Sequence, residues 1–194
     1  IIASDIEAGF YVLNPDYKRA AYLEGVITDA SNNAQLSGVN VEFLNNNNNT
    51  TVSKVGGSYK MGTLNSGSYS VVFSHPLYQS DTVNQVVLQN DSTTVLDIGL
   101  FSLSPLNLNI ETKLSTQNNP LSNVSFIISN DNFSYSGITN QNGQFTVNNL
   151  IPGSYNIYAG IWGFQDFCLE NFSIVDDTSP FIMSFEEGYQ DPFN

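Results

Sequence analysis

One histidine, one cysteine and one tryptophan limit the chemistry open to this chain. A hydrolytic zinc centre takes two histidines and a glutamate around the metal and a further acid to activate water. His75 has no second histidine to join it, and Tyr78 stands where a nearby acid would be wanted. A cysteine nucleophile needs a base beside it. Cys168, in Phe164-Gln165-Asp166-Phe167-Cys168-Leu169, lies far in sequence from His75 and is expected as a small buried residue. No catalytic, cofactor-binding or metal residue is assigned. Oxygen-bearing side chains gather at Asp29 with Asn32 and Asn33, at Asn130-Asp131-Asn132 and at Asp176-Asp177. Calcium takes such oxygens, but no loop motif of fixed spacing is present, and Asp and Asn are also the ordinary residues of solvated turns.

The remaining candidates are aromatic. Trp162 and Phe164, with His75 and Tyr78 at matching places earlier in the chain, are the residue types that stack on a sugar ring. The competing reading is that Tyr78 and Phe164 each plug the end of a sandwich. Trp162 is then expected to pack against Phe164 or the neighbouring copy, because the aligned residue is Pro76 and the indole is no part of a shared design.

The matching places come from a duplication. Gly57-Ser58-Tyr59 precedes Gly67-Ser68-Tyr69-Ser70-Val71, and Gly143-Gln144-Phe145 precedes Gly153-Ser154-Tyr155-Asn156-Ile157 at the same interval. His75-Pro76-Leu77-Tyr78 falls on Ile161-Trp162-Gly163-Phe164 at that displacement, and Leu36-Ser37-Gly38-Val39 falls on Leu121-Ser122-Asn123-Val124 one residue off it. Within each copy, short alternating runs are separated by Gly, Asn, Asp and Pro. Strands are expected at 22–28, 39–43, 59–61, 67–73, 81–88 and 93–100, and again at 106–112, 124–128, 145–147, 154–159, 167–174 and 181–185. The fold class is all-β: two tandem Greek-key, seven-strand β-sandwiches. Tyr69 and Tyr155 are expected at equivalent buried positions. Domains are drawn at 21–103 and 104–186, joined so closely at Pro105 that a limited range of angles is expected. Residues 1–20 read as a segment of a preceding domain, with Ser4-Asp5-Ile6-Glu7 as a possible helix cap and Phe10-Tyr11-Val12-Leu13 as a strand; 187–194 read as the start of a following module.

Composition narrows the partners. Eighteen Asp and Glu against five Lys and Arg give a net charge of −13, which repels nucleic acid and an anionic lipid surface alike. Charged residues make up only 12%, against about 25% in ordinary soluble domains, so Asn, Ser, Thr and Gln carry the solubility. No apolar run reaches the roughly 18 residues of a membrane span. The chain opens on Ile1 without a signal peptide and reads as a fragment.

The repeated residues resemble the carboxypeptidase regulatory-like family of transthyretin-type (prealbumin-like) sandwiches, common in secreted and outer-membrane proteins of Bacteroidetes. The first copy carries the pattern in Gly25-Val26-Ile27-Thr28-Asp29, Leu36-Ser37-Gly38-Val39-Asn40-Val41, Gly57-Ser58-Tyr59, Gly67-Ser68-Tyr69-Ser70-Val71 and Leu96-Asp97-Ile98. The second departs from it, with Asn109 taken as the counterpart of Gly25 and Asn123 as that of Gly38. The closing Glu187-Gly188-Tyr189-Gln190-Asp191-Pro192-Phe193-Asn194 is similar to the start of a β-rich module of secreted zinc carboxypeptidases. The resemblance implies a bacterial secreted or surface location and a non-catalytic accessory pair that spaces or stabilises the catalytic domain of a metallopeptidase. Its partners would be other domains of its own parent chain. The alternative is a module that binds glycan or protein at the cell surface through Trp162, Phe164, His75 and Tyr78.

Overall fold

The structure, a computed structural model, describes residues 2–5, 9–12, 18–44, 49–177 and 179–188. It divides into two units, Ile1–Ser102 and Leu103–Asn194. Ahead of the first sandwich, β1 (Ile2–Asp5) and β2 (Gly9–Val12) form an antiparallel hairpin. Ser4 and Asp5 are therefore strand residues and cap no helix; Ile6, Glu7 and Leu13 lie outside the described residues.

The first sandwich runs β3 (Ala21–Asp29), β4 (Asn40–Phe43), β5 (Thr50–Val52), β6 (Ser58–Thr63), β7 (Gly67–His75), β8 (Tyr78–Leu88), β9 (Thr93–Val95) and β10 (Ile98–Leu100). One sheet has the order β5-β4-β7-β8; the other places β3 between β6 and the pair β9 and β10. The second unit runs β11 (Leu106–Leu114), β12 (Ser125–Ser129), β13 (Ser134–Ile138), β14 (Gln144–Leu150), β15 (Gly153–Gly160), β16 (Phe167–Ile174) and β17 (Phe181–Phe185). Its sheets are β13-β12-β15-β16 and β14-β11-β17, the same plan strand for strand. The third strand of each copy, β5 and β13, was not anticipated. Both are short edge strands whose side chains stay largely exposed, so neither has the apolar alternation that marks a half-buried strand.

Alternation builds both cores. Leu23 and Ile27 of β3 meet Val41 and Phe43 of β4 and Val71 and Phe73 of β7 from the opposite sheet. In the second unit Leu108 and Ile110 of β11 and Met183 and Phe185 of β17 meet Phe126, Ile128, Tyr155 and Ile157. A bulge falls after Tyr69 in one unit and after Tyr155 in the other. Each tyrosine hydroxyl donates to the carbonyl four residues back, Asn65 at 2.7 Å and Ile151 at 2.6 Å. The positions are equivalent, but only Tyr155 is fully buried. Tyr69 is partly buried, tilted against Phe43 with ring centroids 4.9 Å apart.

The register corrects one alignment. Gly25 pairs with Tyr59 and Ile110 pairs with Phe145, so the counterpart of Gly25 is Ile110, one residue beyond Asn109. The reason for the difference is a kink. The last strand of the first sandwich breaks at Leu96-Asp97 into β9 and β10, and the break passes directly over Gly25. A Cβ there would sit 2.0 Å from the Leu96 carbonyl oxygen. The kink is held by the Tyr59 hydroxyl donating to Leu96 O at 2.7 Å, by Leu96 N donating to Glu24 O at 2.9 Å, and by Val26 N donating to an Asp97 carboxylate oxygen at 2.8 Å. In the second unit β17 runs unbroken beside Ile110 to Leu114. The Gly38 and Asn123 pairing holds: both sit at positive φ, 82° and 59°, a region that glycine enters freely and that asparagine tolerates better than most residues.

Candidate functional site

The four aromatic and imidazole candidates lie where the seventh strand of the chain turns into the eighth, and the fifteenth into the sixteenth. In the first unit His75 ends β7 and Tyr78 opens β8, paired across a two-residue turn. The imidazole Nδ1 accepts the Leu77 amide at 3.2 Å, and its ring lies edge-on to Tyr78 with centroids 5.2 Å apart. Partial burial shifts the His75 pKa down, towards the neutral ring. The Tyr78 hydroxyl reaches across to the other sheet and donates to an Asp29 carboxylate oxygen at 3.0 Å. Burial, and then the hydrogen bond to Asp29, raise the Tyr78 pKa. Tyr78 thus acts as a strut between sheets, and its hydroxyl and the His75 Nδ1 are already engaged within the module.

In the second unit Phe164 packs against the core from the corresponding position. Trp162 does not. It is 96% exposed, which overturns the expectation that it packs on Phe164. It sits in the turn between β15 and β16, followed by Gly163 at a φ of 91°. Cys168 is corrected in the same way. It pairs with Tyr158 on the outward-facing register of β16 and is exposed, while Leu169 takes the inward register. Between Tyr158, Gly160, Asp166 and Cys168, together with Ser125 and Ile127, the outer face has a shallow, open depression of about 410 Å³. Neither Trp162 nor Phe164 is among its lining residues.

Two of the oxygen clusters are turn devices. One Asp29 carboxylate oxygen accepts the Ser31 amide at 2.7 Å, and Asn32 Oδ1 accepts the Ala34 amide at 2.8 Å. The Ser31 hydrogen bond, supported by Tyr78, keeps the Asp29 pKa below the usual carboxylate value. Asn130 Oδ1 likewise accepts the Asn132 and Phe133 amides at 3.0 and 2.8 Å. Among the described residues no group of three His, Cys, Asp or Glu side chains is placed to hold a metal ion.

Two residues that sequence reasoning passed over organise each module. Ser53 and Thr139 are buried hydroxyls at 4% and 2% exposure. Ser53 Oγ donates to Leu36 O at 2.7 Å and accepts the Val39 amide at 3.0 Å. The Thr139 hydroxyl lies 3.3 Å from Leu121 O and accepts the Val124 amide at 3.1 Å. Each stitches the segment before β4 or β12 to the strand connection opposite. A hydroxyl at constant spacing ahead of the repeated Gly57 and Gly143 was the available signal.

The exit of each sandwich is fastened too. In the first, Gln79 N donates to Phe101 O at 2.8 Å and Tyr78 bridges Ser102; in the second, Gln165 N donates to Glu186 O at 3.0 Å and Phe164 bridges Glu187. Gly188 N adds a bond to Gly163 O at 2.8 Å. Glu187 and Gly188, expected to begin a following module, are thus hydrogen-bonded into the second sandwich; Tyr189 to Asn194 lie outside the described residues.

Comparison with known proteins agrees with this plan. Residues 22–101 match the carboxypeptidase regulatory-like domain family and residues 107–158 match the prealbumin-like fold domain family. No curated protein matches the sequence. Among solved structures, a streptococcal ancillary pilin aligns with a TM-score of 0.56 at 13% identity, over 88% of this chain and 63% of its own. The minor pilin of Streptococcus agalactiae aligns with a TM-score of 0.49 at 12% identity, over 88% and 97%. The Bacillus anthracis TIE protein aligns with a TM-score of 0.39 at 20% identity, over 87% of this chain and 34% of its own. The chain therefore spans less than two thirds of the ancillary pilin and about a third of the TIE protein. At these identities the likeness is one of fold. The chain carries a carboxypeptidase regulatory-like domain over residues 22–101, followed by a prealbumin-like sandwich in its second unit.

Proposed function

We infer that this chain is a non-catalytic structural pair in a secreted or surface-exposed bacterial protein, in which each sandwich spaces its neighbours along the polypeptide. The supporting observation is the parallel pairing of first and last strands. β9 and β10 run parallel to β3, and β17 runs parallel to β11. The chain therefore enters each module at one end and leaves at the other. A strand of nine residues, the length of β3 and β11, spans about 30 Å, so every copy advances the chain by roughly that distance. Modules with their termini side by side would add bulk without reach. The domains being spaced are taken as those of a metallopeptidase or another surface protein, and the domain limits as 21–103 and 104–186.

The second reading is a binding module, favoured by the exposed indole of Trp162. Titration of the purified chain with a glycan panel, read by Trp162 fluorescence, together with peptide hydrolysis with and without zinc, separates the two. The spacer reading expects neither binding nor turnover. Glycan binding abolished by Trp162→Ala would replace it with the binding reading, and zinc-dependent hydrolysis would overturn both.

A further inference from the structure

We propose that each sandwich bears tension along the chain, with the ladder between its first and last strands as the mechanical clamp. The inference goes beyond spacing and does not depend on it, since a ligand-binding pair can carry load equally well. Tension on the two ends of a module pulls β11 and β17 in opposite directions along their shared axis. Five residue pairs, from Ile110 with Phe181 to Leu114 with Phe185, are then loaded together. They must slip in concert, because sliding by one residue would turn the inward Met183 and Phe185 onto the outer face. The first sandwich loads three pairs of β9 and three of β10, with the kink bonds of Leu96 and Asp97 between them.

The exit bonds distribute the load further. The last strand belongs to the β3 or β11 sheet, yet the residues that follow it are bonded to Gln79 or to Gln165 and Gly163, on hairpins of the opposite sheet. A pull on the outgoing chain is therefore resisted by both sheets before the ladder is reached. The Tyr78 to Asp29 bond ties the same hairpin back to the end of β3.

The test is the direction of pulling on the full chain, by optical tweezers or force microscopy, in a Cys168→Ser background. For the second unit, handles at Ser104→Cys and Asn194→Cys load the ladder in shear. Handles at Ser104→Cys and Ser179→Cys, which flank the starts of β11 and β17 at one end of the module, peel it pair by pair. Forced unfolding follows the barrier along the pulled coordinate, so peeling is expected to rupture the unit at less than about half the shear force. The first unit repeats the measurement independently, with Lys18→Cys and Ser104→Cys in shear and Lys18→Cys and Gln89→Cys in peeling. Equal rupture forces in the two directions, in variants with the same melting temperature, would overturn the proposal for that unit.

Discussion

The kink over Gly25 makes Gly25→Ala the most informative single change. The new Cβ would lie 2.0 Å from Leu96 O and 2.6 Å from its carbonyl carbon, both backbone atoms that cannot swing aside as a side chain would. The kink must retreat by well over an ångström. That movement strains the core at about 1–3 kcal/mol, the usual range for overpacking. It also pulls Leu96 O away from the buried Tyr59 hydroxyl, and an unpaired buried donor costs about 1–3 kcal/mol more. The combined loss of about 2–6 kcal/mol is a large share of the 5–15 kcal/mol that holds a domain together. For a domain of this size each kcal/mol moves the midpoint by roughly 4–8 °C, so the first unit is expected to melt at least about 8 °C earlier. Calorimetry of the whole chain, fitted as two transitions, should show one moving and the other staying. Gly67→Ala is the control: its Cβ would meet the Tyr69 ring at an ordinary 3.5 Å, and the change should stay within about 0.5 kcal/mol. A shift below about 4 °C for Gly25→Ala would refute the claim that the kink requires glycine.

The buried hydroxyls give a paired test: Ser53→Ala and Thr139→Ala should each lower the stability of their own unit by about 1–3 kcal/mol in urea titration, while Thr139→Ser stays near wild type. Trp162→Ala should leave both melting transitions in place within about 0.5 kcal/mol, because the ring is exposed; a loss of several kcal/mol would restore its packing role. The Asp29 pKa is lower folded than unfolded, so its contribution is present above the unfolded value near 3.9 and is lost as pH falls through the lower folded value. Between pH 6 and pH 3 the first transition should therefore fall more steeply in wild type than in Asp29→Asn, and identical slopes would remove Asp29 from the acid response.

Topology was legible because the duplicated Gly, Tyr and Ser landmarks sit at turns and bulges, where backbone geometry restricts the residue type. Gly57 and Gly143 both occupy positive φ, at 71° and 70°, and Tyr69 and Tyr155 both close the same local hydrogen bond. The edge strands β5 and β13 were not legible, since they bury too little to need an apolar pattern. The counterpart of Gly25 was misplaced by one residue because matching by residue type cannot see that a kink, present in one copy alone, is what asks for glycine. Trp162 and Cys168 failed for a different reason. The burial of Cys168 was argued from residue type and that of Trp162 from its alignment with Pro76, whereas their placement is decided by strand parity and by a hairpin tip, and parity in β16 depends on a bulge that no residue type announces.

Two sandwiches of the same plan on one chain invite strand exchange during folding, with the last strand of one copy settling beside the first strand of the other. The kink guards against one such mispairing. To lie alongside β11 in its native register, the β9 and β10 segment would bring the Leu96 carbonyl down on position 110, where an isoleucine side chain fills the space that Gly25 leaves open. The departure of one copy from strict repetition is thus a proofreading feature. Replacing Ile110 with glycine would loosen the core of the second unit and at the same time admit the wrong strand.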